Sequence, residues 1–260
     1  MVRDRSILRG ERFCPSPSAP AFLRLASVLI TGASRGIGAA AARSFAAAGH
    51  DLMLLARPSE DFAALAAEVR ATGVAVHLAE VDLGDPAAVE PAIDSLLRQA
   101  GAPDVVINNA GVACTGSLAD LPLERWQWLL QLNLTAVFQV CRAVIPALRR
   151  QGRGLIINVS SHAAHNAFPD WGAYCVSKAA LGSFSRCLAV EERRHGIRVS
   201  TLTLGAVNTP LWDSETVDSS FDRRAMLNAE EVAAALLYLA RQPDHQVVED
   251  LTLMPAAGAL

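Results

Sequence analysis

From residue 25 onward the chain alternates two patterns of apolar and polar positions. Short, continuously apolar runs occur near 26–31, 51–56, 74–79, 104–107, 154–159, 197–203 and 249–254. A run such as Leu155-Ile156-Ile157-Asn158-Val159 lacks alternation, as expected of a strand buried on both faces. Between the runs lie longer stretches with helical spacing, near 36–48, 59–71, 86–100, 122–150, 171–195 and 229–241. Pro86 suits the first turn of its helix, with Asp85 as the cap. Gly49, Gly73, Gly101, Gly152 and Gly196 each follow a helix, where a left-handed residue closes the last turn. This alternation predicts an α/β protein with a doubly wound, mostly parallel seven-stranded sheet and helices on both faces. No compositional break divides residues 25–260, which read as one domain. In such sheets ligands bind outside the carboxyl ends of the strands, so motifs there say most about function.

Residues 1–24 break the rhythm. Pro15, Pro17 and Pro20 stand among serines, and Arg3, Arg5, Arg9 and Arg12 have no periodicity. The expectation is a disordered tail. No apolar stretch suits a secretory signal, and Asp4 and Glu11 count against a transit peptide.

Composition narrows the class. The chain is 52% hydrophobic and 19% charged, with a net charge of -3. Nothing there suggests nucleic acid or an acidic membrane as partner. No run of 18 apolar residues appears, so no membrane span is expected. Five cysteines, with no C-x-x-C pair, read as reduced thiols of a cytoplasmic enzyme. His162 and His165 lie three apart without a third ligand, so no metal site is expected. One bias changes the picture: the chain holds 22 arginines and a single lysine, Lys178, four residues after Tyr174. The two cations are not interchangeable, because lysine is a compact charge with rotatable donors.

The first strand ends in T-G-A-S-R-G-I-G, Thr31 to Gly38, and a helix follows at once. Glycines in such a turn let backbone approach a pyrophosphate, and the helix N-terminus presents free N–H groups to it. A ligand-free βα turn has the same letters. The second strand ends at Ala56-Arg57, with no acid to hold a ribose 2′-hydroxyl. Arg57 and Arg35 suit a 2′-phosphate instead, unless they are two surface arginines in an arginine-rich chain. Tyr174 and Lys178 share a helical face, where the ammonium is expected to lower the phenol pKa and make an acid/base group. Ser161 ends the strand before them, placed to orient a substrate oxygen or merely to cap a turn.

These residues resemble the short-chain dehydrogenase/reductase family, in its compact, NADP-preferring subfamily. The likeness covers about residues 25 to 257. It rests on T-G-A-S-R-G-I-G at 31–38, D-L at 82–83, N-N-A-G at 108–111, Asn133, Ser161, Y-C-V-S-K at 174–178 and G-A-V-N-T at 205–209. The resemblance implies a Rossmann fold, NADP(H) as cofactor and a small carbonyl or alcohol substrate. It implies Tyr174 as acid/base, Lys178 as the group that lowers its pKa and binds ribose, and Ser161 as the carbonyl-orienting hydroxyl. Asn133 would join a water-linked proton relay, or be a helix polar residue held by a backbone carbonyl. Gly32, Ser34, Arg35, Gly36, Ile37 and Gly38 would hold phosphate, with Arg57 at the 2′-position. Asp82 and Leu83 would meet adenine, although Asp82 could merely end a strand. Asn109, Ala110 and Gly111 would line the adenosine side, and Val207 and Thr209 the carboxamide end of the nicotinamide. The resemblance also implies a homodimer or homotetramer, paired through the helices of Asn133 and Tyr174. Leu204-Gly205 departs from the family's Pro-Gly.

On the substrate side the loops bring His162, His165, Phe168, Trp171, Cys114 and Trp212, with residues 212–224 as an expected mobile lid. Trp126, Trp128, Leu129 and Leu132 read as core or subunit interface. Two other functions compete. A nucleotide-sensing regulator would have no need of the acid/base tyrosine. Epimerase or dehydratase chemistry belongs to longer relatives with a similar Tyr/Lys pair.

Overall fold

The computed structural model describes residues 26–218 and 221–258; the expected tail lies outside them. The strands are β1 (Ser27–Thr31), β2 (Asp51–Ala56), β3 (Val76–Glu80), β4 (Val105–Asn108), β5 (Gly154–Ser161), β6 (Ile197–Leu204) and β7 (Asp250–Leu253). All pair in parallel, in the order β3-β2-β1-β4-β5-β6-β7. The helices are α1 (Gly36–Ala47), α2 (Glu60–Arg70), α3 (Pro86–Ala100), α4 (Leu123–Leu130), α5 (Ala136–Gln151), α6 (Gly172–Glu192) and α7 (Ala229–Ala240).

The unbroken apolar runs are explained by two cores, one on each face. Val28, Ile30, Leu52 and Leu54 point to one side, with Phe45 of α1 and Phe62 of α2. Leu29, Met53, Leu55 and Val106 point to the other, with Ile93 of α3 and Val140, Val144 and Leu148 of α5. Each such side chain contributes about 1.5–3 kcal/mol over its exposed state. The edge strands β3 and β7 are only half covered. Helix starts follow the sequence signals: Asp85 accepts from the Ala87 N–H at 2.9 Å, ahead of Pro86.

The expected continuous helix over 122–150 is interrupted. Residues Gln131–Thr135 form a π-helical turn between α4 and α5. Such turns are rare and concentrate at functional sites. Asn133, at its centre and fully buried, exchanges hydrogen bonds with both backbone groups of Val112: Oδ1 accepts from N–H at 2.8 Å, and Nδ2 donates to the carbonyl at 2.9 Å. The wider turn aims this side chain at the loop after β4. By length and composition alone, the helical stretch Leu123–Gln151 could cross a membrane; here it packs α5 against the sheet.

The carboxyl ends of α5 and α6 are joined by Arg149 and Glu192, with Nε donating at 2.8 Å. Only 2% of the Glu192 side chain is exposed, and the guanidinium holds its carboxyl below the usual range. Arg149→Met strands that carboxylate, but the half-exposed partner site lets water in. The expected loss is about 1 kcal/mol, measured by urea unfolding at pH 7. A depressed folded pKa stabilises above the ordinary glutamate range, so the difference from wild type closes as pH falls below about 4.5.

Candidate active site

Chain connections run to opposite sides of β1 and β4, so a crevice opens at their carboxyl ends, where dinucleotides bind in such sheets. Its floor needs glycine at two points. Gly32 has φ +66°, and a Cβ there would stand 2.8 Å from the Ala110 Cα. A Cβ on Gly38 would lie 2.2 Å from the Gly32 carbonyl oxygen. Asn109 locks the turn to β4: its Nδ2 donates to the Thr31 carbonyl at 2.9 Å, and the Thr31 hydroxyl accepts from the N–H groups of Asn109 and Ala110, both at 3.0 Å.

One end of the cleft gathers Gly32, Ser34, Arg35, Gly36 and Ile37 with Arg57, Asp82, Leu83 and residues 109–111. Gly38 lies beneath them, buried. The cation pattern matters. Among the described residues eight arginines, including Arg43, Arg142 and Arg198, are in ion pairs; the side chains of Arg35 and Arg57, at this end of the cleft, have no ion pair or hydrogen bond there. Two free guanidiniums beside a glycine turn and a helix N-terminus fit an anionic nucleotide. Asp82, two residues past β3, is exposed at this end and accepts from the Gly84 N–H at 2.8 Å.

The cleft continues to Ser161, Tyr174 and Lys178, with Val207 and Thr209 along its far wall. Ser161 ends β5, its hydroxyl accepts from the Ala163 N–H at 3.2 Å, and it faces Tyr174 closely enough to favour the phenolate. Lys178 is 6% exposed; its Nζ donates to the Val159 carbonyl at 3.0 Å and stands 5.8 Å from the centre of the Tyr174 ring. Burial pushes the Tyr174 phenol up to about 12, against the pull of Ser161, and pushes Lys178 down to about 8. The sequence reading expects the Lys178 ammonium, joined by the positive charge of bound NADP⁺, to lower the tyrosine; here burial is the largest influence and Ser161 the group that opposes it. Asn133 reaches Ser177 at 3.0 Å rather than Lys178, although a Cβ on Gly111 would sit 3.3 Å from Asn133 Oδ1 and 3.6 Å from Lys178 Nζ.

Beneath the site runs a buried polar chain that sequence reading missed. Asn108 Nδ2 donates to Asn158 Oδ1 at 2.8 Å, Asn158 Nδ2 to the Ser185 hydroxyl at 2.8 Å, and Ser185 to the Leu181 carbonyl at 2.8 Å. It fixes α6, and so Tyr174 and Lys178, against β4 and β5.

Above Tyr174 the rings of Trp171, Trp212 and Phe221 follow in contact. Centroid distances are 5.6 Å from Tyr174 to Trp171, 5.7 Å from Trp171 to Trp212 and 5.6 Å from Trp212 to Phe221. His162 and Phe168 join the wall as expected, but two residues do not. His165 is exposed outside it, and Cys114 is buried with Leu129 and Ala173. Trp128 packs against the Cys114, Leu129 and Ala173 cluster and Leu132 against the second core, as expected, and both also line the nucleotide end. Leu204 is buried, and Gly205 admits the chain at Met254 and Pro255; a Cβ would meet Pro255 Cδ at 2.5 Å.

The segment after Thr209 is tied on both sides. Arg223 donates to Asn208 Oδ1, the Thr209 carbonyl and Asp213 Oδ1 at 2.8–2.9 Å. Across the rim, the Thr115 N–H donates to the Thr216 carbonyl at 2.9 Å, the Thr216 hydroxyl to the Ala113 carbonyl at 2.6 Å, and the Asp218 N–H to the Thr115 hydroxyl at 2.8 Å. This strap joins the two walls of the cleft.

Comparison with known proteins agrees with the geometry. A family model described as short chain dehydrogenase matches residues 26–219. The chain is 33% identical over 238 residues to a sepiapterin reductase of Chlorobaculum tepidum, covering 89% of this chain and 96% of that one. It is 35% identical over 240 residues to sulfoacetaldehyde reductase 2 of Chromohalobacter salexigens, covering 89% and 95%. An alcohol dehydrogenase from Thermococcus sibiricus, solved with 5-hydroxy-NADP, superposes with a TM-score of 0.82 at 30% identity, over 90% of this chain and 98% of that one.

Proposed function

Because the chain belongs to the short-chain dehydrogenase family, we propose that it is an NADP(H)-dependent oxidoreductase acting on a carbonyl or alcohol carbon, with Tyr174 as the proton-transfer group. The observation that carries this reading is one continuous cleft with two distinct ends. Ser161, Tyr174 and Lys178 stand at one end, and two unpaired guanidiniums beside a glycine turn stand at the other. When bound, the reduced cofactor supplies the hydride. Tyr174, held protonated by burial, gives its proton to the carbonyl oxygen. Ser161 donates to the same oxygen and orients it. Lys178 holds the ribose hydroxyls and, as an ammonium, offsets phenolate charge. Asn133 keeps the Val112 backbone and Ser177 in register around that lysine. Exposed Phe138 on α5 and Val176 and Val190 on α6 support pairing of copies through those helices.

The cofactor assignment is tested by titrating NADPH and NADH against tryptophan fluorescence. NADPH is expected to bind more tightly, and Arg57→Asp to weaken it about 30-fold with little effect on NADH, as loss of a charge-assisted contact would. Equal binding of both, unchanged in Arg57→Asp, overturns the assignment.

A further inference from the structure

Resting on that reading, we infer that the substrate is an uncharged carbonyl compound bearing an aromatic or similarly flat apolar group. The reactive carbonyl lies at Ser161 and Tyr174, and its substituent along Trp171, Trp212 and Phe221.

Two independent features point there. The first is the ring series itself, which begins at the catalytic hydroxyl and runs outward without a break. Three of its contacts are tilted or edge-on, the arrangement in which aromatic groups pack favourably, so a further ring can extend it. The Trp212 indole is fixed, because its Nε1 donates to the Val207 carbonyl at 2.7 Å. The wall is thus preformed.

The second feature is the charge pattern. Among the described residues, this end of the cleft has no arginine, aspartate or glutamate in its wall. Its one charged side chain is Lys178, already bound to the Val159 carbonyl. Arg223 is the guanidinium nearest in sequence to the ring series, and all its contacts are internal, to Asn208, Thr209 and Asp213. A carboxylate, sulfonate or phosphate on the substrate would be stripped of water with no guanidinium to receive it, and the Lys178 ammonium at the inner end is already engaged by the Val159 carbonyl. A cationic substrate would lie near Lys178 with no carboxylate to receive it. Neutral substrates carry neither penalty. In the reduction the carbonyl carbon gains a hydride, the oxygen gains the Tyr174 proton, and the products are the alcohol and NADP⁺.

The test compares kcat/KM with NADPH for four probes: 1-phenylpropane-1,2-dione, phenylglyoxylate, butane-2,3-dione and betaine aldehyde. The neutral aryl dione is expected to exceed each of the others by about tenfold or more. In Trp212→Ala its advantage over butane-2,3-dione falls by about tenfold, chiefly through KM. Phe221→Arg, at a partly exposed site, raises the rate with phenylglyoxylate. A best rate with phenylglyoxylate or betaine aldehyde overturns the inference and leaves the oxidoreductase reading standing, as does an aryl dione no better than butane-2,3-dione. NADPH oxidation with none of the four counts against both.

Discussion

Tyr174→Phe lowers kcat for carbonyl reduction about a thousand-fold, within the span general acid catalysis provides. The substitution removes one oxygen and keeps the ring, so the edge contact with Trp171 at 5.6 Å remains. NADPH binding should therefore stay within about twofold of wild type, followed by fluorescence titration. A paired loss of affinity and rate would point to a collapsed site instead. The proton is well held: burial keeps the phenol protonated up to about pH 12 in the bare cleft. Stopped-flow measurement of NADPH oxidation separates the chemical step from product release. A chemical step slowed less than about tenfold would remove Tyr174 from the acid role.

Lys178→Met has a large effect of opposite sign on stability. The folded protein holds this amine at about 8 against 10.5 in the open chain. A depressed lysine pKa means that folding works against the proton: the cost is full below pH 8 and vanishes as pH rises past 10.5. Removing the charge recovers about 3 kcal/mol, of which about 1 is lost again with the hydrogen bond to Val159. The net gain at pH 7 is about 2 kcal/mol, or roughly 5 °C in Tm by calorimetry without cofactor. The gap from wild type should narrow steadily between pH 8 and 10.5. An unchanged or lower Tm at pH 7 would show that Lys178 is solvated or paired in the cofactor-free protein. On the proposed function, loss of activity is the expected outcome in the same variant, a trade of stability for function at this position.

Local patterns were legible from the letters. A strand buried on both faces has no other way to look than Leu155–Val159 does, and the Tyr174-to-Lys178 spacing is enough to place both on one helical face. What escaped depends on partners distant in the chain. The π turn at Gln131–Thr135 is held by Asn133 reaching Val112, 21 residues away, while its own residues read as ordinary helix. The Asn158–Ser185 bond spans 27 residues, and nothing local announces it; the asparagine in an apolar strand was its one visible trace. The upward push of burial on Tyr174 was not legible, because a sequence shows a neighbouring charge but not the water withdrawn from both groups.

The strap between Thr115 and Thr216 has a consequence in time. Its bonds join residues about a hundred positions apart, and both segments border the nucleotide end of the cleft. A nucleotide held at that end would have the strap beside it, and a small carbonyl compound would meet Tyr174 from the ring-lined side. On the proposed function, breaking the strap with Thr216→Ala is expected to speed nucleotide release more than release of the alcohol, measured by stopped-flow fluorescence.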